Sequence, residues 1–235
     1  MVLSRYYYSQ KKIYSQAGNK LIRVISQSLC EQRKILLFLS GGSNANLYGY
    51  LAGYLNHYEL PLLSIAQIDE RFQPNQALEI NAEQIRKTGL WKVCGEKGIP
   101  YYIISQKGSV ETASKEYSKT IENLWEKFDY IIAVLGIGED CHTAGLIPGY
   151  EKNWNTDSYI AGYNLKHGKF RKRITITPKL MEKFDYALIV ARGAKKKDAI
   201  KDALKKENLQ NLNKYPAVII QKIKEVDILT DIPVS

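Results

Sequence analysis

Short, nearly unbroken apolar runs recur along the chain: KILLFLS (34–40), LLSIAQI (62–68), PYYIIS (100–105), DYIIAVLG (129–136), RITIT (173–177), DYALIVA (185–191) and AVIIQ (217–221). Runs of this length, rich in Ile, Leu, Val and Tyr, predict strands covered on both faces. Between them the period changes to that of a helix. Over 43–58, Leu47, Leu51, Tyr54, Leu55 and Tyr58 fall on one face; over 109–127, Val110, Ala113, Tyr117, Ile121 and Leu124 do the same. Residues 14–33 carry a stripe through Leu21, Val24, Ile25 and Leu29, and 194–206 a shorter one through Ile200, Ala203 and Leu204. Such stripes predict helices laid against a core. Strands alternating with helices predict an α/β fold: a doubly wound, mostly parallel sheet with helices on both faces. No fixed-period repeat or low-complexity linker interrupts the pattern, so residues 1–235 read as a single domain. In such sheets ligands bind beyond the carboxyl ends of the strands. The residues just after each apolar run are therefore where chemistry is sought.

Composition narrows the classes. No apolar run approaches the ~20 residues that span a bilayer, and the N-terminal MVLSRYYYSQKKIYSQ lacks the apolar centre of a secretory signal. A cytoplasmic protein without a membrane partner is expected. The cysteines at 30, 94 and 141 are odd in number and form no Cys-x-x-Cys pair, and Cys141 beside His142 is poor ligand spacing. Neither a disulfide framework nor a bound metal is expected. The net charge of +10 fits either a solvated lysine-rich surface or attraction of an anionic small molecule. KHGKFRKR (166–173) and KKK (195–197) are dense, but neither zinc-finger spacing nor a basic zipper accompanies them. No nucleic-acid partner is expected.

Three predicted strand ends carry candidate chemistry. In LFLSGGSNANLYGYL, a strand runs into Ser40, Gly41, Gly42 and Ser43, and a helix follows. Glycines permit a sharp turn and close approach of a ligand. Ser43 is the candidate N-cap, and the helix start favours an anion such as phosphate. Taken alone, a Gly-Gly turn before a helix is structural more often than not. In IAQIDERFQPN, Asp69 and Arg71 follow an apolar run. They read either as a solvated turn or as a carboxylate that orients a hydroxyl or takes a proton, beside an arginine that holds an anion. In GIGEDCHTAG (136–145), Gly136 and Gly138 permit a tight turn, and His142 titrates near neutrality when unperturbed. Asp140 either fixes its tautomer or holds substrate. Farther on, Arg173 opens RITIT, and Lys196 lies near the start of the last predicted helix.

Taken in order, SGGS, IDER, GIGEDCHTAGLIPG, RITIT and VARGAKKKDAI resemble the 6-phosphogluconolactonases of the glucosamine-6-phosphate isomerase-like superfamily. The resemblance runs from about residue 14 to the closing VDILTD. It implies a doubly wound α/β fold. The implied activity is hydrolysis of 6-phosphoglucono-δ-lactone in the oxidative pentose phosphate pathway, without a cofactor. The implied partner is an anionic phosphosugar lactone, handled by a monomer or weak homo-oligomer. It implies His142 as the general base that activates water, with Asp69, Arg71 and Asp140 as active-site groups. Ser40, Gly41, Gly42, Ser43, Arg173 and Lys196 become phosphate and sugar contacts. The isomerase branch carries an acidic residue just before Pro-Gly and reads Asp-Glu-Tyr early on; here Ile147 and Arg71 stand in those places. The isomerase and a non-catalytic sugar-phosphate-binding relative are the alternatives. The chain also departs from the lactonase pattern. Cys141 replaces a usual glycine, SGGSNA replaces SGGSTP, and Gly145 replaces a common serine. A cysteine at a position that requires positive φ would be strained.

Overall fold

The computed structural model describes residues 2–75 and 79–233. Seven strands build a parallel sheet: β1 (Val2–Tyr7), β2 (Ile35–Leu39), β3 (Leu63–Gln67), β5 (Tyr101–Tyr102), β6 (Tyr130–Leu135), β9 (Tyr186–Ala191) and β10 (Glu225–Thr230). Their order is β1-β10-β9-β6-β2-β3-β5. A smaller antiparallel sheet joins β4 (Asp69–Arg71), β8 (Lys172–Ile176) and β7 (Ile160–Asn164), in the order β4-β8-β7.

Helices cover both faces of the large sheet. Alternate residues of each central strand divide between two apolar cores. Ile35, Leu37 and Leu39 of β2 pack with α1 (Ile13–Cys30) and α2 (Ala45–His57). Leu36 and Phe38 pack on the other side with α5 (Val110–Trp125) and α8 (Lys197–Leu204). β6 divides in the same way. This two-sided burial is why the strands read as continuous apolar runs. Each fully buried Leu or Ile contributes about 1.5–3 kcal/mol relative to exposure. α1 buries Ile13, Ala17, Leu21 and Ile25 at helical spacing. α5 begins where Ser109 Oγ accepts from Thr112 N at 3.1 Å. The short helices are α3 (Asn81–Arg86), α4 (Leu90–Glu96), α6 (Glu151–Trp154) and α7 (Pro178–Met181). Among the described residues no helix is long and apolar enough to cross a membrane.

Several local expectations are corrected. AVIIQ is not a strand. Pro216–Lys222 forms 3₁₀ turns whose residues Ala217 to Ile220 are buried. Proline fixes φ and brings no N–H to a ladder, and a short apolar run does not distinguish a buried strand from a buried helical turn. The strand follows instead as β10. PYYIIS pairs only at Tyr101 and Tyr102, because Ile104 N donates to the Gln67 side chain at 2.7 Å rather than to a neighbouring strand. RITIT belongs to the antiparallel sheet. Ser43 is not an N-cap: it lies inside a 3₁₀ turn, Gly42–Asn44, and neither that turn nor α2 has a side-chain cap.

The order of the strands locates a crevice. From β2 the chain winds outward through β3 to β5; from β6 it winds the other way through β9 to β10. The β2–β6 gap is thus the topological switch point, where connections diverge and leave a crevice at the carboxyl ends. Ile68 N still bonds Leu39 O at 3.0 Å, but β4 then leaves to pair with β8 and walls the crevice.

Candidate active site

A cleft of about 340 Å³ opens at the switch point, a size usual for small-molecule sites. The loops after β2 and β6, strands β4 and β8, and the turn before α8 meet there. Ser40, Gly41, Gly42, Ser43, Asp69, Arg71, His142, Arg173 and Lys196 all line it. The structure thus gathers nine of the ten residues singled out from the sequence. The tenth, Asp140, does not line the cleft but hydrogen-bonds His142.

The loop after β2 is held from within. Tyr48 Oη donates to Ser40 O at 2.6 Å, and Asn44 Nδ2 donates to Ser40 Oγ at 2.8 Å. Gly42 has φ +64° and donates its N–H to Gln84 Oε1 at 2.7 Å. That amide is engaged by the protein, so the expected cradle of free amides excludes it. Gly41 is required for a different reason. A Cβ there would lie 2.4 Å from Asn81 Cγ, which closes the cleft from α3.

Strand β4 sorts its three charged residues by the period of two. Asp69 and Arg71 face the cleft, and Glu70 points away into protein. Glu70 is fully buried. Its Oε1 accepts from Arg71 N and Asn81 N at 2.7 and 2.6 Å, and its Oε2 accepts from Ala82 N and Gln67 Nε2 at 2.8 and 3.0 Å. It caps α3, so it fixes the helix that carries Asn81. Burial raises its pKa to about 7, against the pull of these four donors. Asp69 is buried as well. Burial raises its pKa; Arg173, Arg71 and His142 oppose that shift.

Arg71 and Arg173 are cross-strand partners in the β4–β8 register. Burial lowers the pKa of Arg71, and Arg173 lowers it further. Arg71 Nη1 donates to Glu79 O at 2.8 Å. Arg173 has no side-chain hydrogen bond or ion pair among the described residues, and the Nε of each arginine is buried without a partner. Like charges directly opposite in a sheet are unfavourable, and a pair of this kind can accept an anion.

The loop after β6 explains the stretch GIGEDCHTAG. His142 Nδ1 lies 2.5 Å from Asp140 Oδ1, and His142 N donates to the same oxygen at 3.2 Å. Burial opposes ionisation of Asp140, but the hydrogen bond and charge of His142 outweigh it and hold its carboxyl below the usual value. With Nδ1 on a carboxylate, Nε2 is the free ring nitrogen. Gly138 makes room for this pair: a Cβ there would lie 2.1 Å from His142 Nδ1. Cys141 adopts φ +65°, the conformation that favours glycine. Its thiol points away from the cleft. It is buried, lies 3.5 Å from Ala199 O, and burial pushes its pKa up to about 11. Gly145 donates to Thr175 Oγ1 at 3.0 Å, and a Cβ there would meet Thr175 Cβ at 2.7 Å, so this chain packs the loop closer to β8 than a serine would permit.

Lys196 ends a 3₁₀ turn, Ala194–Lys196, just before α8. Burial lowers its pKa, and Glu139 and Asp231 oppose the shift. Three cationic side chains and one buried carboxylate thus share the cleft with the imidazole. Sequence reasoning missed Asn44 and Asn81, which also line the cleft. Asn44 follows SGGS directly and was within reach; Asn81 arrives only through a tertiary bond, Nδ2 to Asp69 O at 3.0 Å.

Fold and cleft together define a doubly wound α/β protein with a cleft walled by cationic side chains at its switch point. The sequence matches the family of glucosamine-6-phosphate isomerases/6-phosphogluconolactonase over residues 8–229, and the chain belongs to that family. It is 30% identical over 200 residues to 6-phosphogluconolactonase 4 of Saccharomyces cerevisiae, an alignment covering 79% of this chain and 76% of the relative. Its fold superposes on the 6-phosphogluconolactonase of Thermotoga maritima with TM-score 0.79 at 21% identity, covering 97% of this chain and 99% of that one. The enzyme of Trypanosoma brucei gives TM-score 0.79 at 20% identity, covering 97% and 95%.

Proposed function

We propose that this protein hydrolyses 6-phosphoglucono-δ-lactone to 6-phosphogluconate, with His142 as general base. The supporting observation is the pairing of Nδ1 with Asp140, which leaves Nε2 as a proton acceptor in a cleft walled by Arg71, Arg173 and Lys196. A water attacks the lactone carbonyl carbon while Nε2 takes its proton. The bond from that carbon to the ring oxygen breaks, and the proton passes to the departing oxygen. Base catalysis of this kind contributes typically ~10²–10⁴-fold. Asp140 holds the tautomer and stabilises the imidazolium that forms. The Ser40–Ser43 loop, Arg173 and Lys196 take the phosphate, and Arg71 completes the cationic wall. An anchor remote from the carbonyl orients the ester for attack. Asp69, between the arginines and the imidazole, holds a sugar hydroxyl. Water is the only co-reactant this chemistry requires.

The isomerase reading lacks its proton donor. Ile147 stands where that branch has an acid, and its side chain packs on the core rather than lining the cleft. The test is acid release from freshly generated lactone, followed above the spontaneous rate, beside ammonia release from glucosamine 6-phosphate. Acceleration of the first without the second is expected. Ammonia release, or phosphosugar binding without turnover of the lactone, would overturn the assignment.

A further inference from the structure

The arginine pair carries a feature that the reaction leaves unexplained. Arg71 and Arg173 stand opposite one another on adjacent antiparallel strands. Arg173 makes no side-chain hydrogen bond or ion pair among the described residues, and only one carbonyl bonds the Arg71 head group; the buried Asp69 carboxylate acts on both guanidiniums without bonding either. Two unpaired guanidiniums on flexible stems would swing apart into solvent. Here they do not. The turn between β7 and β8 folds back so that Phe170 covers both. The Arg71 guanidinium carbon lies 4.2 Å from the centre of the Phe170 ring, and that of Arg173 lies 5.9 Å away. Both distances fall within the range where a ring face attracts a cation.

The turn is itself fastened over β4. Lys169 Nζ lies 2.5 Å from Glu79 Oε1, and Glu79 also supplies the carbonyl that accepts from Arg71. Lys169 Nζ is 5.3 Å from the same ring. At the base of the turn, Leu165 N donates to Arg171 O at 2.6 Å, and Arg171 Nε donates to Leu165 O at 3.2 Å. Phe170 is therefore delivered by a short, closed turn and is not a loosely attached surface aromatic.

We infer that Phe170 is a positioning residue. Its ring face holds the guanidiniums of Arg71 and Arg173 side by side, so that an incoming phosphate meets two aligned cations. The ring supplies what a carboxylate cannot supply here. It attracts both cations without pairing their charge, so the charge remains for the ligand. Both Nε atoms are buried without a partner, so the outer nitrogens of the forks are left for an incoming anion. The inference rests on the reading that this arginine pair faces the substrate phosphate.

The experiment compares Phe170→Ala, Phe170→Leu and Phe170→Trp in the full chain, with Arg173→Gln as the control. A cation–ring contact at a partly buried site is worth roughly tenfold in an equilibrium constant. Phe170→Ala and Phe170→Leu are expected to raise KM for the lactone, and Kd for 6-phosphogluconate, about tenfold. kcat is expected to change little, and Phe170→Trp to restore both constants. In an Arg71→Gln background, Phe170→Ala should have a much smaller effect, because the two residues act as one unit. If Phe170→Leu binds as tightly as the wild type, or Phe170→Ala acts equally in both backgrounds, the ring has no positioning role. If Arg173→Gln leaves KM and Kd unchanged, the phosphate reading itself fails, a result distinct from failure of the clamp.

Discussion

Replacing Gly138 by alanine tests the base with a single methyl group. The backbone of Gly138 is not in the left-handed region, so alanine is conformationally acceptable there. The obstruction is local. The added carbon would lie 2.1 and 2.2 Å from Nδ1 and Cε1 of His142, and 2.7 Å from Asp140 Oδ1. Non-bonded carbons do not approach below about 3 Å, so the ring must retreat by roughly 1 Å, and a misplacement of that size costs on the order of 10²-fold. We expect Gly138→Ala to lower kcat about a hundredfold, with KM nearly unchanged because the proposed phosphate contacts lie on other elements. The assay is initial-rate acid release from the lactone, with 6-phosphogluconate binding measured on the same preparation. Gly49→Ala is the control. That glycine is exposed within α2 with nothing within 4 Å of an added Cβ, and the change should stabilise the fold by about 0.5–1 kcal/mol. A Gly138→Ala enzyme with wild-type kcat would refute the placement of His142 at the reacting centre.

Other consequences follow from neighbouring contacts. Asp140→Asn presents an amide to Nδ1 and favours the wrong tautomer, so kcat should fall on the order of 10²–10⁴-fold at unchanged fold stability, read by kinetics and thermal melting together. Glu70→Gln sets an amide nitrogen against two of four N–H donors; leaving two donors unsatisfied costs at least about 2 kcal/mol, seen as a Tm lower by roughly 4–8 °C. Cys141→Gly relieves about 1–2 kcal/mol of left-handed strain and adds glycine's entropic cost of about 0.5–1 kcal/mol, so activity should be kept or raised. A large loss would give the thiol a role that its burial does not suggest. Alkylation at neutral pH should label the exposed Cys30 and spare Cys141.

Much of this was legible in the sequence because each central strand is buried on both faces. β2, β3, β6 and β9 all appear as continuous apolar runs followed by glycine or charge. The same rule misled at Pro216–Lys222, where burial alone produced an apolar run. It was silent at β1, an edge strand in which no residue is fully buried. The second sheet could not be read, because β4 spans three residues and pairs with a segment a hundred positions away. At the site, the polar groups at strand ends were visible, but the division of Asp69 and Arg71 from Glu70 came from strand geometry. Phe170 was hidden in a basic run that reads only as charge. Cys141 is the instructive departure: the positive φ that the resemblance raised is present, and the side chain is accommodated by turning into the core.

The most direct test is turnover by His142→Ala. On the proposed mechanism, an imidazole that takes the proton from water accounts for ~10²–10⁴ of the rate, while the arginine wall and the proposed phosphate contacts remain. We expect lactone hydrolysis near the spontaneous rate with 6-phosphogluconate binding intact. Acceleration that survives the substitution would contradict the account at its centre.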